Sequence, residues 1–306
     1  MAAFTKFSKE ALERYLKMFG RGRLIDYSPI TVGIDNSNYF VEFEKDGKIN
    51  EFVLTIMENH TFDEAPFFAK LLTHLHHYGL PVPTPQSTLD GMTSTIFCGK
   101  PTFLVSKLPG SHFQTAGIEQ CRSIGEFLAA QHKALGELNT QKPNYYSVEW
   151  MVKALSIQEY RLSIDDCVLL EETIEIYRRL NIDGLPGGLI HGDLFRDNAL
   201  FIGEKLTGII DYYRACEDLL AIDLAVAIND WCRDENEIPD DKKRVAMNDG
   251  YNAIKPLTDA ESLSMIALQQ ISAARFALTR LLSGDPPLKD PGEMLNLTRK
   301  FAATRR

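Results

Sequence analysis

The chain has 306 residues, with 33 Lys and Arg against 42 Asp and Glu, which gives a formal net charge of −9. Its length allows one large domain or two lobes, and its 44% hydrophobic and 25% charged residues exclude a disordered or fibrous chain. The acidic balance and the lack of a Lys and Arg stripe argue against nucleic-acid binding, because phosphate neutralisation needs clustered cations.

The cysteine usage and the hydropathy pattern bear on where the protein works. Five cysteines form an odd set without a C-x-x-C pair, which is typical of a reduced chain and argues against a zinc ribbon. The sequence near Met1 has no apolar signal region, and no run of about 18 apolar residues occurs. We therefore expect a soluble, cytoplasmic protein without a membrane partner.

The first part of the chain is predicted to consist mainly of strands. Two β-branched and aromatic runs, 30–43 and 52–57, are separated by an Asp-Gly turn, which predicts an antiparallel hairpin. A helix is predicted over 63–78, and two short apolar runs over 93–105 predict a second hairpin. Together these elements make a small antiparallel sheet that carries one helix.

After residue 108 the pattern becomes helical. Apolar residues recur at three-to-four spacing over 118–135, 148–155, 166–180, 220–231 and 259–282. A strand-like stretch, 188–210, interrupts these helices. The change of pattern predicts an α+β, two-lobed fold, with a β-rich lobe over 1–105 and a larger, mostly helical lobe over 106–306.

The most informative stretch runs from Leu189 to Tyr213. It contains His191-Gly192-Asp193 followed by Asn198, which is the H-x-D-x-x-x-x-N spacing of a phosphotransferase catalytic loop. A second acid, Asp211, ends an apolar run that is predicted to be a strand. The alternative is that these are turn and capping residues without a chemical role, but their combined spacing favours the catalytic interpretation.

Phosphoryl transfer explains these residue types. The reaction needs an oxygen nucleophile held in line and phosphate charge neutralised by Mg²⁺, a hard ion that takes oxygen ligands. Asn198 and Asp211 supply such oxygens, and Asp193 would accept the proton of the attacking hydroxyl. His191 is better interpreted as a hydrogen-bonding residue that organises the loop than as the base.

A nucleotide site also needs a phosphate-covering turn between the first strands. The segment 33–38 lies in that place, where main-chain N–H groups with Asn36 and Ser37 would contact phosphate oxygens, although a plain polar hairpin turn is the alternative. A kinase-like site would place a lysine on the next strand, and this sequence has Thr55 there. Tyr212 and Trp231 would line a small acceptor pocket or pack in the core.

These residues resemble a known family. The HGDLFRDN loop and the later GIIDYY run are similar to those of the aminoglycoside phosphotransferase and choline kinase superfamily, which has a protein-kinase-like fold. Within it, the stretches DNSNY, FVLTIME, DYYRACEDLLAIDLAVAINDWC and RFALTRL most resemble the bacterial homoserine kinases of that fold. The matching stretches span nearly the whole chain.

The resemblance implies roles for individual residues. It implies ATP and Mg²⁺ as cofactors, Asp193 as the catalytic base, and Asn198 and Asp211 as magnesium ligands. Asp223 resembles a buried helix acid that braces the catalytic loop, and the segment from Val105 to Leu108 would offer main-chain hydrogen bonds to adenine. The β-rich lobe would then bind the nucleotide, and the helical lobe would hold the catalytic residues and the acceptor.

The resemblance also implies an acceptor. L-Homoserine would be phosphorylated on its side-chain hydroxyl for threonine biosynthesis, and Arg275 is the candidate for its carboxylate, because arginine binds a carboxylate through two hydrogen bonds. An interhelical ion pair is the alternative role for Arg275. A related kinase acting on an aminoglycoside, choline, ethanolamine or methylthioribose, or a nucleotide-binding pseudokinase, is the alternative function.

Overall fold

The computed structural model describes residues 5–31, 33, 35–182, 184–236, 238–284 and 286–305, with the main chain only at 181 and 182. The chain divides into two compact units. The first unit holds Met1–Ser111, Leu200–Ile202 and Thr207–Ile210, and the second holds His112–Ala199, Gly203–Leu206 and Asp211–Arg306.

The first unit is built on a five-stranded antiparallel sheet in the order β1-β2-β3-β5-β4. Its strands are β1 (Arg23–Pro29), β2 (Asn36–Lys45), β3 (Lys48–Met57), β4 (Thr95–Phe97) and β5 (Lys100–Ser106). Two helices belong to the same unit, α1 (Lys9–Leu16) and α2 (Ala65–His77). The predicted sheet with a helix over 63–78 is therefore confirmed.

Both predicted hairpins are confirmed, and their turn residues explain why they form. Strands β2 and β3 meet at a two-residue turn in which Asp46 and Gly47 have φ angles of 53° and 74°. Strands β4 and β5 meet in the same way, with Cys98 and Gly99 at 51° and 75°. Positive φ at both central residues is the turn geometry that matches the strand twist.

One predicted strand is wrong in part. Within the run 30–43 the strand β2 begins only at Asn36, and the preceding strand, β1, ends at Pro29, before the run starts. The main-chain N–H of Ile30 still donates to the carbonyl oxygen of Asn38 at 2.8 Å, so the chain turns back on itself here. The turn that the sequence indicated over 33–38 overlaps this break.

The core of the first unit lies between α1 and one face of the sheet. Leu12 and Leu16 of α1 pack in one buried cluster with sheet residues that include Val41 and Leu54. The helix begins at the side-chain cap of Ser8, whose hydroxyl accepts from the N–H of Ala11 at 3.2 Å. Such a cap satisfies a main-chain donor that the first helical turn leaves open.

The second unit is largely helical. Its helices are α3 (Ile118–Leu135), α4 (Val148–Gln158), α5 (Ile164–Ile182), α6 (Leu220–Trp231), α7 (Asp241–Ile254), α8 (Asp259–Leu282) and α9 (Pro291–Arg305). An antiparallel strand pair, β6 (Gly187–Ile190) and β9 (Cys216–Leu219), lies among them. The α+β prediction is confirmed, although the sequence patterns did not reveal α1, α7 and α9.

The remaining two strands, β7 (Ala199–Ile202) and β8 (Lys205–Ile209), form a hairpin closed at Gly203 and Glu204. Gly203 has a φ of 59°, which favours glycine. This hairpin lies between the predicted catalytic loop and Asp211 along the chain. The two predicted metal ligands, Asn198 and Asp211, therefore lie on either side of it in the sequence.

Helices α3 and α7 cross at two glycines. A Cβ atom on Gly125 would lie 2.0 Å from the carbonyl oxygen of Met247, and one on Gly250 would lie 2.2 Å from that of Arg122. Both distances are shorter than any real contact. The two helices can therefore approach this closely only because glycine has no side chain at either position. Among the helices of the described ranges, none is long and apolar enough to cross a membrane.

Candidate active site

The predicted catalytic loop, residues 191–198, follows β6 in the second unit. Gly192 has a φ of 78°, and a Cβ atom there would lie 3.0 Å from the carbonyl oxygen of Arg214. Glycine is therefore favoured at this position both by its backbone conformation and by the closeness of the neighbouring chain. The tight start of the loop carries the chain from the buried strand to Asp193.

Asp223, near the start of α6, holds the main chain of the loop. Its carboxylate accepts from the N–H of His191 at 2.7 Å and from that of Gly192 at 2.8 Å. The side chain is fully buried, and Nε2 of His132 lies 3.2 Å from Oδ2. The contact that the resemblance implied for Asp223 is confirmed.

The protonation of Asp223 follows from these contacts. Burial is the largest single influence and raises the pKa of Asp223. The hydrogen bond and electrostatic interaction with His132, together with the interactions with His191, lower this pKa by more than burial raises it. The net effect is a pKa below the ordinary value for aspartate. The ionised carboxylate is therefore the form that holds the loop.

Asp193 and His191 are in direct contact within the loop. The N–H of Asp193 donates to Nδ1 of His191 at 3.2 Å, and the His191 ring lies 4.4 Å from the ring of Tyr212. His191 is fully buried, whereas the Asp193 side chain is 15% exposed. Of these two residues, Asp193 is thus the one whose side chain a substrate can reach.

Asn198 and Asp211 flank the β7–β8 hairpin. Asn198 immediately precedes β7 and Asp211 comes two residues after β8, so a two-residue hairpin turn brings both to its open end. Nδ2 of Asn198 donates to the carbonyl oxygen of Asp193 at 2.8 Å, which ties it to the loop. Asp211 adopts a left-handed conformation, with φ 65° and ψ 55°.

The donor set of Asn198 and Asp211 fits Mg²⁺. Because the amide nitrogen of Asn198 is used by Asp193, its oxygen is the atom that the side chain can offer a cation. Asp211 adds a carboxylate, and both are the hard oxygen ligands that Mg²⁺ prefers. Within the described ranges no group of three or more His, Cys, Asp or Glu is placed to hold a metal.

Asn36 and Ser37 lie at the start of β2 in the first unit, and both side chains are engaged there. Ser37 is fully buried, accepts from the N–H of Thr5 at 3.0 Å and donates to the carboxylate of Glu58. Oδ1 of Asn36 accepts from the N–H of Glu58 at 3.3 Å. Of the predicted phosphate-covering turn, 33–38, residue 34 lies outside the described residues.

Thr55 occupies the place where a phosphate-binding lysine was expected. It is 3% exposed, and its hydroxyl donates to Oδ1 of Asn38 on the neighbouring strand at 2.7 Å. Another residue of the same unit, Lys100, forms an ion pair with Glu58. Sequence reasoning did not find this pair, since its members stand 42 residues apart.

Val105 and Leu108 lie at and after the end of β5. Val105 is 5% exposed, is paired with Val53 of β3 and is bridged to Pro85. Leu108 is half-buried, and a Cβ atom on Gly208 would lie 2.8 Å from its Cδ1. Glycine at position 208 thus allows β8 to approach Leu108 within the first unit.

The three residues predicted near the acceptor all lie close to the loop but are buried. Arg275 is 3% exposed and donates to the carbonyl oxygen of Gly192 at 2.8 Å. Nε1 of Trp231 donates to the carbonyl oxygen of Leu194 at 3.1 Å. Tyr212 is buried, and its hydroxyl donates to Oε1 of Gln131 at 2.7 Å. Arg275 and Trp231 therefore support the main chain of the loop.

Several residues around the loop were missed by sequence reasoning. Nε of Arg214 lies 3.5 Å from Oδ2 of Asp193, and the ring of Tyr146 contacts its guanidinium. Asp230 accepts from the N–H of Arg196 at 2.7 Å, and burial raises the pKa of Asp230. Arg214 lies in the DYYRAC stretch that carries the resemblance but was assigned no role there, and Tyr146 carried no signal.

Comparison with known proteins shows the family of this chain. The phosphotransferase enzyme family (APH) matches residues 26–257. The homoserine kinase of Methylobacillus flagellatus is 37% identical over 281 residues, which cover 92% of this chain and 87% of that protein. The homoserine kinase of Methylobacillus glycogenes is 33% identical and covers all of this chain and 97% of that protein.

Two solved structures show the same fold at low sequence identity. Amicoumacin kinase hAmiN, solved with AMP-PNP, Ca²⁺ and Ami, has a TM-score of 0.75 and 13% identity, with 97% of this chain and 94% of that chain covered. Choline kinase from Cryptosporidium parvum has a TM-score of 0.70 and 11% identity, with 97% and 95% covered. The predicted kinase-like fold is confirmed, and the chain belongs to the phosphotransferase enzyme family.

Proposed function

We propose that this protein transfers the γ-phosphoryl group of ATP to the side-chain hydroxyl of L-homoserine, giving O-phospho-L-homoserine and ADP. The observation that carries the proposal is the loop 191–198. Asp223 accepts hydrogen bonds from the main chain of this loop, while the side chain of Asp193 stays partly exposed. The choice of L-homoserine is supported by the full-length relatives that carry the name homoserine kinase.

Asp193 acts as the general base in this proposal. The acceptor hydroxyl donates to its carboxylate, and the proton moves to Asp193 as the hydroxyl oxygen forms a bond to the γ-phosphorus. The bond from the γ-phosphorus to the bridging oxygen breaks, and ADP leaves with the bonding electrons. Asp223 keeps Asp193 in position through the main chain, and His191 supports the N–H of Asp193.

Asn198 and Asp211 are the residues that would hold Mg²⁺. The ion, when bound, neutralises phosphate charge as it develops during transfer. Asn198 ties this position to the base, because its amide nitrogen donates to the carbonyl oxygen of Asp193. The hairpin β7–β8 fixes the spacing of the two ligands, since both flank it.

Nucleotide recognition is assigned to the β-rich part of the chain, residues 1–105 with the segment up to Leu108. Because the side chains of Asn36 and Ser37 are bonded to Glu58 and its neighbours, their main-chain N–H groups are the donors we propose for phosphate. The main chain from Val105 to Leu108 is proposed to bind adenine. No lysine stands at Thr55, so metal and main-chain donors would carry the phosphate charge.

The remaining part, residues 106–306, is assigned to catalysis and to the acceptor. We propose that Arg275, Tyr212 and Trp231 form the support beneath the acceptor, because two of them bond to the main chain of the loop. A packed, hydrogen-bonded support of this kind holds catalytic groups within a narrow range of geometries. The charge of Arg275 would also favour an anionic group on the acceptor.

The test is an ADP-release assay across L-homoserine, choline, methylthioribose and an aminoglycoside, each with and without Mg²⁺. The proposal predicts turnover with L-homoserine that needs Mg²⁺ and exceeds turnover with the other alcohols. If another alcohol is turned over and L-homoserine is not, the acceptor is wrong. If the nucleotide binds but none of these acceptors is phosphorylated, the outcome favours the alternative of a nucleotide-binding pseudokinase.

A further inference from the structure

Two arginines lie over the ring of a single tyrosine beside the proposed base. The Cζ atom of Arg214 lies 5.3 Å from the ring centroid of Tyr146, and that of Arg275 lies 5.8 Å from it. A guanidinium over an aromatic face is attracted by the ring and is held flat against it. Tyr146 thus contacts two planar cations in the second unit.

The two arginines differ in what surrounds them. Arg275 is 3% exposed, donates to the carbonyl oxygen of Gly192, and has NH1 3.9 Å from Oδ2 of Asp218. Asp218 is itself buried and accepts from the hydroxyl of Tyr177 at 2.7 Å. Arg275 therefore belongs to a closed, buried network.

Arg214 is more exposed than Arg275 and adjoins the proposed base. Its side chain is 15% exposed, and its Nε lies 3.5 Å from Oδ2 of Asp193, which is equally exposed. The turn Tyr212–Arg214 follows directly after Asp211, so the proposed metal ligand and this arginine are fixed by the same short segment. Arg214 thus adjoins the carboxylate that would receive the acceptor hydroxyl.

We infer that Arg214 binds the α-carboxylate of the acceptor and thereby selects an amino acid over a simple amino alcohol. This inference rests on the proposed function. Three carbons separate the hydroxyl of L-homoserine from its carboxylate, so a hydroxyl on Asp193 leaves the carboxylate within reach of a neighbouring guanidinium. The planar fork of arginine matches both carboxylate oxygens.

In this arrangement Arg275 is a positioning residue. It donates to the carbonyl oxygen of Gly192, in the loop that carries Asp193, and it supports Tyr146 from within the buried network. Tyr146 in turn keeps Arg214 in place through the cation and ring contact. The carboxylate-binding role that the sequence indicated for Arg275 thus passes to the arginine that a ligand can reach.

The experiment compares L-homoserine with 3-aminopropan-1-ol, which has the same hydroxyl and amine but no carboxylate. In the Arg214→Gln variant we expect kcat/KM for L-homoserine to fall by about 30-fold, as for a lost charge-assisted pair. For 3-aminopropan-1-ol we expect a change of less than about 3-fold, because the lost interaction does not exist there. KM for ATP stays as in the wild type.

A second measurement separates binding from support of the base. L-2-Aminobutyrate has the carboxylate and the amine of L-homoserine but no hydroxyl, so its inhibition constant does not depend on proton transfer. The inference predicts that this constant rises by about 30-fold in Arg214→Gln and by less in Arg214→Lys, which keeps the charge but not the fork. An unchanged constant would overturn the inference.

Two control variants complete the design. Arg275→Lys removes a positioning contact to the loop. Arg196→Gln removes a guanidinium of the same loop, which pairs with Asp230 of α6. Both should lower kcat for the two acceptors by the same factor and leave inhibition by L-2-aminobutyrate unchanged. Equal losses for both acceptors in Arg214→Gln would mean that this residue only supports Asp193. Wild-type turnover of 3-aminopropan-1-ol but not of L-homoserine would reject the proposed function together with the inference.

Discussion

The carboxylate of Asp223 accepts the main-chain N–H of Gly192 at 2.8 Å, across 31 residues of sequence. This contact, with its partner at His191, joins the first turn of α6 to the start of the loop 191–198. A buried carboxylate that accepts two main-chain donors fixes the loop more firmly than packing alone, because hydrogen bonds to a charged group are stronger than those to a neutral one. The position of Asp193 therefore depends on α6.

We expect Asp223→Asn to lower the free energy of unfolding by about 3 kcal/mol, since it breaks a buried, hydrogen-bonded charge. The lowered pKa of Asp223 means that its contribution is present above about pH 4, the ordinary value for aspartate, and is lost as the pH falls through the folded-state pKa. Urea unfolding at pH 7 measures the loss. The exposed control Asp249→Asn should stay within about 0.5 kcal/mol of the wild type. Equal stability of both variants would contradict the bracing role.

The magnesium site makes a second prediction. If Asp211 is a ligand, Asp211→Asn should raise the Mg²⁺ concentration for half-maximal activity by at least about 10-fold, because a carboxylate is replaced by a neutral amide. Activity is measured against Mg²⁺ at saturating ATP and acceptor. Asp197→Asn is the matched control, because Asp197 lies in the same loop but pairs with Lys289 at the surface. Identical Mg²⁺ dependence in the two variants would remove Asp211 from the metal site.

In the first unit, Glu58 is expected to give a pH-dependent stability. Burial is the largest single influence and raises its pKa, but the hydrogen bonds from Lys100 and two hydroxyls lower it below the ordinary value. The ionised form therefore stabilises the fold above about pH 4.3, and the contribution disappears as the pH falls through the lowered pKa. Glu58→Gln should lower the free energy of unfolding by about 1 to 3 kcal/mol at pH 7 and by less near pH 3.

The control for this prediction is Glu51→Gln. Glu51 pairs with Lys107 on the surface, and such pairs contribute little, at most about 1 kcal/mol. Thermal or urea unfolding is followed between pH 3 and pH 7 for both variants. A loss for Glu58→Gln that does not shrink on acidification would show that the carboxylate charge is not what Lys100 stabilises.

The crossing of α3 and α7 predicts a steric effect. Gly125→Ala would place a Cβ atom 2.0 Å from the carbonyl oxygen of Met247, so the helices must separate at a cost of about 2 to 3 kcal/mol. Gly136→Ala is the control, because its Cβ would lie 3.4 Å from the nearest atoms and its φ of −63° suits alanine. Chemical unfolding compares the two. Equal effects would argue against close packing at Gly125.

Local signals in the sequence accounted for much of the fold. The Asp-Gly turn at Asp46 and Gly47 gave the first hairpin, and the apolar run of α6 predicted both of its ends. Helix α1 has a Ser8 cap and apolar residues at Leu12, Tyr15 and Leu16, which a search for short capped helices would find. Helix α7 has weaker local signals, because its packing depends on Gly125 of α3, which lies 125 residues before Gly250 of α7.

The candidate site was predictable only where its chemistry is local. The spacing of His191, Asp193 and Asn198 identified the loop, since those residues act within eight positions of one another. The hydrogen bond of the Ser37 hydroxyl was not predictable, because its partner Glu58 is distant in sequence. Glu58 is in turn paired with Lys100, which lies still further along the chain. The pair of arginines on Tyr146 arises from segments 68 and 129 residues away, so no local pattern contains it.

The proposed role of Asp193 is tested by comparing the turnover of L-homoserine by the wild type and by Asp193→Asn in the same ADP-release assay. We predict Mg²⁺-dependent turnover by the wild type and a kcat at least about 100-fold lower in the variant, with KM for ATP little changed, as for a lost general base. Near-normal turnover of L-homoserine by Asp193→Asn would contradict this role.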